Sequence, residues 1–404
     1  MKFWKNRKGN IAVLTALTLP VVVGGAGLGV ETGYWYYSQL KLQQAADAAV
    51  YAADLELHEG NTSEMLSSAR AAATLNGYTN STDTISVATP SASYPSDANS
   101  ADVSMTRSVT RGFSAIFNSA PIVLHVKATA KFDPSNNACL LALSKSSANS
   151  VWIHGNGGMT ISGCVVSSNS VSSQSIVAAG SSSTSMPCIS TAGGVSLNSN
   201  VTLTDPECTA PQTNLPPVSD PYKGVALPTP GPCQNWTGNV HSEGTYCDSG
   251  INLTGKIDEL TGGTYIFNGT HISISGGTNG GLTSKGAGVT IVLLNGAYIE
   301  MTGNPPIDLT APTTGPYAGM LFLGDRTASG HTNVFAGTAT SKMTGVIYFP
   351  ADPIQYAGNF SGFNGCTQVV AYTIEWTGST SLSVNCSGTG MNTIKVGGRP
   401  YLVG

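Results

Sequence analysis

The sequence predicts a mixed fold: an N-terminal transmembrane helix continuing into an exported helix, then a small α+β unit and a large C-terminal all-β domain. Three observations carry this prediction. Residues 11–30 form an uncharged apolar run, residues 34–59 lack glycine and proline, and residues 133–404 combine short β-prone runs with many Gly, Ser, Thr and Asn residues. Only 10% of the 404 residues are charged and the net charge is -4. The chain therefore offers no basic patch for nucleic acid.

The apolar run, IAVLTALTLPVVVGGAGLGV, is long enough to cross a membrane. As a helix it spans roughly 30 Å, the thickness of a bilayer core. Residues 1–10 form a basic head without acids, which the positive-inside rule keeps in the cytoplasm. A cleaved signal peptide is the alternative, but its apolar region usually has about 7 to 15 residues and a cleavage site directly after it. The predicted aromatic belt at the far interface consists of Tyr34, Trp35, Tyr36 and Tyr37.

Glu31 follows the apolar run directly. Type IV prepilins are cut just before an apolar helix that carries a glutamate near its new amino end, so their acid precedes the apolar run. The order in this sequence is the reverse, which argues against pilin-type processing. We interpret Glu31 as a solvated or interfacial acid where the helix leaves the membrane.

The exported helix carries a stripe of small and apolar residues at spacings of three and four, which places them on one face. Alanine on this face permits close approach of another backbone. The stripe packs either on the chain's own next domain or on a partner helix in an assembly. Its residues are Leu42, Ala46, Ala49, Ala53 and Leu57.

Residues 7–53 resemble the amino-terminal segment of TadG-like proteins of Flp (Tad) pilus assembly. They share a basic residue with Gly-Asn, an apolar span with one proline, a Gly-rich exit with an acid, tyrosines, and the alanine-rich sequence LQQAADAAVYAA. The resemblance implies a single-pass protein of the bacterial inner membrane, with other pilus assembly proteins or pseudopilins as partners. Other relatives carry a von Willebrand A domain with an Asp-x-Ser-x-Ser metal loop. No such loop occurs in this sequence, so no metal site is carried over.

Residues 31–132 comprise the exported helix and a small α+β unit. The pattern predicts a helix over Glu64–Asn76, strands over Thr84–Ala88 and Val103–Val109, a short helix over Gly112–Asn118, and a strand over Pro121–Ala130. This order resembles the pseudopilin-like unit that follows the anchor in relatives.

Residues 133–404 are predicted to form a parallel β-helix, with an antiparallel β-sandwich or jelly roll as the alternative. Runs such as MTISGCVVSS and GTYIFNGTHISISG alternate and are broken by Asn-Gly or Gly-Gly. Stacked coils need short strands and sharp corners where Gly or Asn accepts unusual backbone angles. An antiparallel fold favours more regular hairpin turns. Residues 288–326, 345–358 and 366–386 are similar to the carboxy-terminal half of a TadG-like subgroup.

Eight cysteines lie beyond the predicted membrane exit, and none forms a Cys-x-x-Cys motif. Zinc ribbons and thioredoxin-like sites therefore have little support, while disulfides are the default in an oxidising periplasm. We favour pairing between sequence neighbours, because their separations approximate one coil of a β-helix. Buried free thiols are the alternative for any single cysteine. The favoured pairs are Cys139 with Cys164, Cys188 with Cys208, Cys233 with Cys247, and Cys366 with Cys386.

The sequence predicts no enzyme and no cofactor. It contains no Gly-x-Ser-x-Gly, His-Glu-x-x-His or phosphate-binding glycine motif, and its acids are scattered. Asp258 and Glu259 are the one adjacent acidic pair in the β region, which we interpret as a solvated turn. Asp325, Arg326 and His331 form the best polar cluster, interpreted as a loop-stabilising ion pair with sugar binding or acid-base chemistry as alternatives.

Two function classes follow. The first is a non-enzymatic, minor pilin-like component of pilus assembly, anchored in the inner membrane. Its amino end is cytoplasmic and its bulk is periplasmic or displayed at the cell surface. There the β domain initiates or tips the fibre, or adheres to a glycan or host surface. The alternative is a membrane-tethered carbohydrate-active enzyme built on a β-helix, which needs two carboxyl groups held about 5 to 9.5 Å apart.

Overall fold

The computed structural model describes residues 7–134, 136–155, 159–180, 183–276, 280–337, 341–358, 366–377, 380–383, 386 and 388–403. The chain divides into two compact units. The first comprises Met1–Asp133 with Pro400–Gly404, and the second comprises Pro134–Arg399. The predicted long apolar helix and the large β-rich region are both present.

One helix, α1, runs without a break from Arg7 to Glu59 and includes Pro20. Its membrane-spanning part keeps its apolar side chains exposed, as Val21 at 74% and Val30 at 76% illustrate. Within the part of the chain that the structure describes, α1 is the helix that is long and apolar enough to cross a bilayer. A proline is tolerated in such a span, where local adjustments satisfy the freed carbonyl.

The rest of the first unit packs on the outer half of α1. It contains α2 (Met65–Leu75), a 3₁₀ helix (Phe113–Ile116), and an antiparallel sheet in the order β1-β2-β3 that ends with the C-terminal strand. The sheet strands are β1 (Asp83–Ala88), β2 (Ser100–Val109), β3 (Ile122–Phe132) and the C-terminal Pro400–Val403. The sequence assigned this last strand to the β domain. In the structure it pairs with Thr129–Phe132 and belongs to the first unit.

The core of the first unit is formed by one face of α1, the α2 residues Met65, Ala69 and Ala73, and the sheet. Small side chains on both helices let their backbones approach closely. The α1 face includes the predicted stripe, with Leu42, Ala46, Ala49 and Ala53 fully buried and Leu57 packed against the same cluster. The stripe therefore packs on the chain's own next domain, the first of the two alternatives.

The second unit begins with nine short strands. In chain order they are β4 (Asn136–Ala142), β5 (Val151–Ile153), β6 (Met159–Ser162), β7 (Val165–Ser168), β8 (Ile176–Ala178), β9 (Thr184–Met186), β10 (Ile189–Thr191), β11 (Val195–Leu197) and β12 (Val201–Leu203).

A proline-rich connection, residues 204–232, leads to the remaining strands. These are β13 (Cys233–Gln234), β14 (Val240–His241), β15 (Gly244–Tyr246), β16 (Gly250–Thr254), β17 (Ile257–Leu260), β18 (Gly263–Asn268), β19 (His271–Ser275), β20 (Gly281–Leu294), β21 (Tyr298–Thr302), β22 (Ile307–Thr310), β23 (Met320–Gly324), β24 (Asn333–Gly337), β25 (Lys342–Phe349), β26 (Ile354–Gly358), β27 (Thr367–Ala371), β28 (Ile374–Thr377), β29 (Thr380–Ser383) and β30 (Ile394–Val396). The C-terminal strand is β31.

These strands form mainly parallel sheets. Sheet 1 contains β10-β7-β4-β27-β25, then β23, β20, β18, β15 and β13. Sheet 2 has the order β11-β8-β5-β28-β26-β24-β21-β19-β16, and sheet 3 contains β12-β9-β6-β29 and, separately, β14-β17-β20-β22-β25. The chain visits the sheets in turn, so each strand pairs with the one a full circuit away. Such parallel pairing is expected of stacked coils and not of an antiparallel sandwich.

The sequence separation between paired strands varies, so the β region has no strict repeat length. Ile176 pairs with Val195, which is close to it in sequence, whereas Glu300 pairs with Val334, which lies much further along the chain. The inward side chains nevertheless stay aligned, as the register of Phe335, Tyr356 and Trp376 demonstrates. The rings of Tyr356 and Trp376 stack with centroids 4.6 Å apart, close to the strand spacing of about 4.8 Å.

The second unit begins at central strands of its sheets. Strands β4, β5 and β6 pair with β7, β8 and β9, and β10, β11 and β12 follow outside them. On the other side β27 pairs with β4 and β28 with β5, so sheet 1 has β10 at one end and β13 at the other. The proline-rich connection bridges the two ends. It lies against the outer face of sheet 1, where Tyr222 donates to Gln368 at 2.7 Å and Tyr348 donates to Asp220 at 2.7 Å.

Asp54 is a buried charge in the core of the first unit. Its side chain is fully buried, and neither carboxylate oxygen has a hydrogen-bond partner among the described residues. Burial, with a smaller contribution from Asp97, raises the pKa of Asp54 to about 7. One turn later, His58 stacks on Phe132 with ring centroids 3.6 Å apart, and burial lowers the pKa of His58 to about 4.

We predict that Asp54→Asn stabilises the first unit at high pH. Because the folded-state pKa of Asp54 is raised, its carboxyl disfavours folding above the unfolded-state pKa, and this effect is complete above about pH 7. Removing the charge should increase the free energy of unfolding at pH 8 by roughly 1 to 3 kcal/mol. The gain should vanish below about pH 4, where the aspartic acid is protonated and therefore as uncharged as the asparagine that replaces it. Urea unfolding of the full chain in detergent, monitored by hydrogen exchange of residues 45–59, measures this change in the free energy of unfolding.

Candidate functional site

The predicted aromatic belt divides into two parts. Tyr34, Tyr36 and Tyr37 are more than half exposed, as expected of side chains at a membrane interface. Trp35 instead packs against the core of the first unit. The Arg111 guanidinium lies 5.7 Å from the centre of its ring.

Glu31 is buried, at 7% exposure. One carboxylate oxygen accepts hydrogen bonds from the Gly112 amide at 2.7 Å and the Ser114 hydroxyl at 3.0 Å, while the other accepts from the Ser114 amide at 2.8 Å. The interpretation of Glu31 as a solvated or interfacial acid was therefore wrong. The acid joins α1 to the start of the 3₁₀ helix more than 80 residues later in the chain.

The chemistry of this contact follows from the ends of helices. The first amides of a helix have no partner within it, and a carboxylate satisfies them. Burial disfavours the charged form of Glu31, but the Ser114 and Gly112 hydrogen bonds outweigh it, with Arg111 contributing, and lower the pKa of Glu31. Charge-assisted hydrogen bonds of this kind are stronger than neutral ones.

Phe113 packs beside Glu31, on the membrane-spanning part of α1. A Cβ atom placed on Gly27 would lie only 2.5 Å from Cδ2 of Phe113, whereas one placed on Gly24, Gly25 or Gly29 would meet nothing within 4 Å. Gly27 therefore provides the space for the Phe113 ring. A groove of 720 Å³ lies alongside and is lined by residues that include Val23, Val30 and Tyr34.

The structure brings the cysteines together in the four pairs that the sequence favours, with Cα atoms 5.2 to 5.7 Å apart. Only two pairs join neighbouring circuits of sheet 1, namely Cys139 with Cys164 and Cys233 with Cys247. Cys188 is paired to Cys208 in the proline-rich connection. Cys366 and Cys386 lie at the two ends of one circuit, β27–β29.

The outer face of sheet 2 carries aromatic and acidic side chains. A row that runs across the strands contains Glu300, Val334, Gln355, Glu375 and Trp152 in register. The neighbouring side chains on the same face are aromatic. His271, Tyr298 and His331 stack in succession, with centroids 4.2 and 3.9 Å apart, and Trp152 stacks on His154 at 3.8 Å.

Two histidines of this face pair with its acids. His154 Nε2 lies 2.8 Å from Glu375 Oε1, and His271 Nε2 lies 3.0 Å from Glu300 Oε2. Between the described residues, no group of three or more His, Cys, Asp or Glu side chains could hold a metal ion. The outer face of sheet 2 therefore combines stacked rings with paired histidines and acids.

A cleft of 500 Å³ opens on the same face. It is lined by Trp152, His331, Asp352, Tyr372 and Glu375, among others. Burial raises the pKa of the Asp352 carboxyl, which accepts a hydrogen bond from the Ser329 amide at 2.7 Å. Pockets of this size with a few converging polar groups are typical small-molecule or saccharide sites.

Sequence reasoning missed this cleft, because its residues come from turns and strands far apart in the chain. Asp352 and Glu375 are scattered acids in the sequence, and no local pattern distinguishes Trp152 or Tyr372. The available signal was the alternation in VWI and IEW, where the middle residue of each run faces outward. Only the register between β28 and β5 places Glu375 beside Trp152.

Two interpretations of polar residues were also wrong. Asp258 is fully buried in β17, where its Oδ1 lies 2.7 Å from His241 Nε2, and is not part of a solvated turn. Arg326 donates to the carbonyl oxygens of Val225 at 2.6 Å and Lys223 at 3.0 Å. It therefore holds the proline-rich connection on sheet 1. His331 belongs to the aromatic stack of sheet 2.

Comparison with known proteins finds one match, in the amino-terminal segment. Residues 9–73 match the family model described as putative Flp pilus-assembly TadE/G-like, which confirms the resemblance of residues 7–53. The match covers all of α1 except its first two residues, and most of α2. No curated protein and no solved structure matches the chain.

We predict that Glu31→Gln loosens the 3₁₀ helix. A neutral amide accepts weaker hydrogen bonds than a carboxylate and cannot serve all three donors equally. The free energy of local opening should fall by roughly 1 to 3 kcal/mol, which accelerates amide exchange at Gly112 and Ser114 by about tenfold or more. Hydrogen exchange of the full chain in lipid nanodiscs measures this change.

Two matched variants complete the test. Gly27→Ala should displace Phe113 and accelerate exchange in the same peptide, while Gly29→Ala, on the same helix with free space around it, should not. Unchanged exchange in residues 111–118 of Glu31→Gln would show that the carboxylate does not hold this segment.

Proposed function

We propose, from the membership of residues 9–73 in the Flp pilus-assembly TadE/G-like family, that this protein is a membrane-anchored, non-enzymatic component of Flp pilus assembly. It acts as a minor pilin-like subunit. Its amino end stays in the cytoplasm and α1 crosses the inner membrane once. Its β-rich part is exported, where it initiates or tips the fibre or adheres to a surface.

The observation that carries this proposal is the agreement between the family match and one continuous helix. The matched residues begin in the exposed apolar half of α1 and continue through the buried half into α2. Because the anchor helix continues into the core of the first unit, it fixes the distance of that unit from the membrane surface. A fixed distance suits a subunit that is added to a fibre at the membrane.

The second unit fits the role of a rigid, displayed module. We infer that its three sheets form a parallel β-helix and that its four cysteine pairs are disulfides in an oxidising periplasm. Such crosslinks typically stabilise by about 2 to 4 kcal/mol each. Because β27 pairs with β4, the strands before and after the proline-rich connection form one continuous stack.

Glycan adhesion is a second candidate function, favoured by the cleft on sheet 2. The half-buried ring of Trp152 and the exposed ring of Tyr372 can stack on the apolar faces of sugar rings. The nearby carboxyls of Asp352 and Glu375 can accept hydrogen bonds from hydroxyl groups. The row of side chains continues across several strands, which suits an extended saccharide.

We predict that loss of this protein from its own bacterium abolishes or reduces Flp fibres, and that the wild-type gene restores them. Ala49→Leu should restore fewer fibres, because a larger side chain in the packed core of the first unit costs about 1 to 3 kcal/mol. Electron microscopy of fibres per cell provides the measurement.

Gln44→Leu is the matched control, since it introduces the same side chain at an exposed position of the same helix. It should restore fibres like the wild type. A periplasm-specific reporter fused after Ala53 should be active, and activity only of a cytoplasmic reporter would overturn the orientation. Normal fibre numbers in the deletion strain would contradict a role in assembly.

A separate prediction concerns the cleft. In surface plasmon resonance against a panel of immobilised polysaccharides, Trp152→Ala should weaken binding by about tenfold, because one stacked ring contributes roughly 1 kcal/mol or more. Val177→Ala changes the residue next to Trp152 in register and should leave the affinity unchanged.

Two other results would redirect the proposal for the cleft. Equal binding by Trp152→Ala and wild type would exclude it as the glycan site. Release of new saccharide ends from a bound polysaccharide, lost in Glu375→Gln, would instead support the carbohydrate-active enzyme.

A further inference from the structure

Residues 112–118, GFSAIFN, form a loop with two large apolar side chains turned outward. Ile116 is 79% exposed and Phe117 is 80% exposed. Phe113 points the other way and packs at Gly27. We name residues 112–118 the apolar loop. A pair of neighbouring exposed apolar side chains beside a membrane-spanning helix indicates an interaction surface.

The apolar loop lies at the depth of the membrane. Gly27 precedes the end of the predicted span at Val30 by three residues, which corresponds to about 4.5 Å of helix rise. The groove between the loop and α1 extends to Val23, one further turn into the span. The polar layer at each side of a bilayer is only about 5 to 7 Å thick. A loop that reaches Gly27 therefore passes through this layer.

The loop is held rigidly at this depth. Glu31 accepts three hydrogen bonds from Gly112 and Ser114, and Arg111 donates to the Ala120 carbonyl at 2.8 Å. The Phe113 ring occupies the space above Gly27. Ile116 and Phe117 thus face outward because the base of the loop is fixed, and not because the segment lacks contacts.

The charge around the loop suits a lipid surface. No acidic residue occurs between Asp102 and Asp133, and Arg111 directly precedes the loop. The other basic residues of this interval, Arg107, Lys127 and Lys131, are paired with Asp83, Asp102 and Asp97. Basic side chains near an apolar insertion favour phosphate headgroups. The carboxylate of Glu31 is already occupied by its three donors.

We propose that the apolar loop is a second membrane contact, in which Ile116 and Phe117 insert among the acyl chains of the leaflet from which α1 emerges. The groove along Val23, Gly27 and Val30 accommodates one acyl chain of that leaflet. The contact prevents the first unit from tilting about α1. This proposal rests on the membrane span of α1 and is independent of the role in pilus assembly.

The test places a fluorophore on the loop of the full-length protein in lipid vesicles. A nitrobenzoxadiazole label on Phe117→Cys should show blue-shifted emission and strong quenching by lipids that carry a spin label near the top of the acyl chain. Interfacial insertion reaches roughly 5 to 10 Å below the headgroups. The same label on Leu75→Cys, at an 88% exposed apolar position of α2, should emit as in water and be quenched by iodide. The ratio of lipid quenching between the two sites should be at least about twofold.

Further variants separate the alternatives. Gly27→Ala should reduce lipid quenching of the Phe117 label, and Gly29→Ala should not. Water-like emission from the label at position 117 would overturn the proposal. So would a shielded label without lipid quenching, together with disulfide crosslinking of the unlabelled Phe117→Cys variant to a second copy of the protein, because a protein surface would then cover the loop. If a variant shows normal lipid quenching but assembles no pili, that result concerns the proposed function and leaves the second membrane contact supported.

Discussion

The first unit depends on the contact between the Glu31 carboxylate and the amides of Gly112 and Ser114. This contact joins the point where α1 leaves its apolar span to a loop that begins after β2. Without a carboxylate there, the first amides of the 3₁₀ helix would be buried without partners, at a cost of about 1 to 3 kcal/mol each. With it, the sheet, the loop and the helix share one fixed geometry. The acid is therefore a structural element at the end of the apolar span.

The sequence was informative wherever the signal is local. The apolar run, the alanine stripe and the strands of the first unit follow from residue periodicity within one element, and the structure has each of them. Residues that act through distant partners could not be predicted in this way. Glu31 looked solvated because its donors lie more than 80 residues away, and Asp258 looked solvated because His241 comes from another strand. Long-range register, which no periodicity encodes, also creates the cleft around Trp152 and Glu375.

The proline-rich connection explains why one face of the second unit is available and another is not. It covers sheet 1 with residues such as Tyr222, Val218 and Val225, so strands such as β23 and β27 are buried on both faces. Proline suits this connection, because it donates no backbone hydrogen bond and keeps the chain extended. Sheet 2 has no such cover in the described part of the chain, and its strands alternate between buried and partly exposed residues. Its outer side chains are therefore free to carry a binding function.

Because the alanine stripe is buried within the first unit, it is not available as a contact surface for a partner protein. Ala46, Ala49 and Ala53 are fully buried against α2 and the sheet, so a partner helix could reach them only by displacing that core. The opposite side of this half of α1 is open, and Tyr37, Leu40 and Tyr51 are exposed there at 57%, 46% and 38%. Aromatic and aliphatic side chains of this kind are enriched in the cores of protein interfaces. A partner protein that contacts this half of α1 must therefore do so through its outer side, while the stripe holds the rest of the first unit against α1.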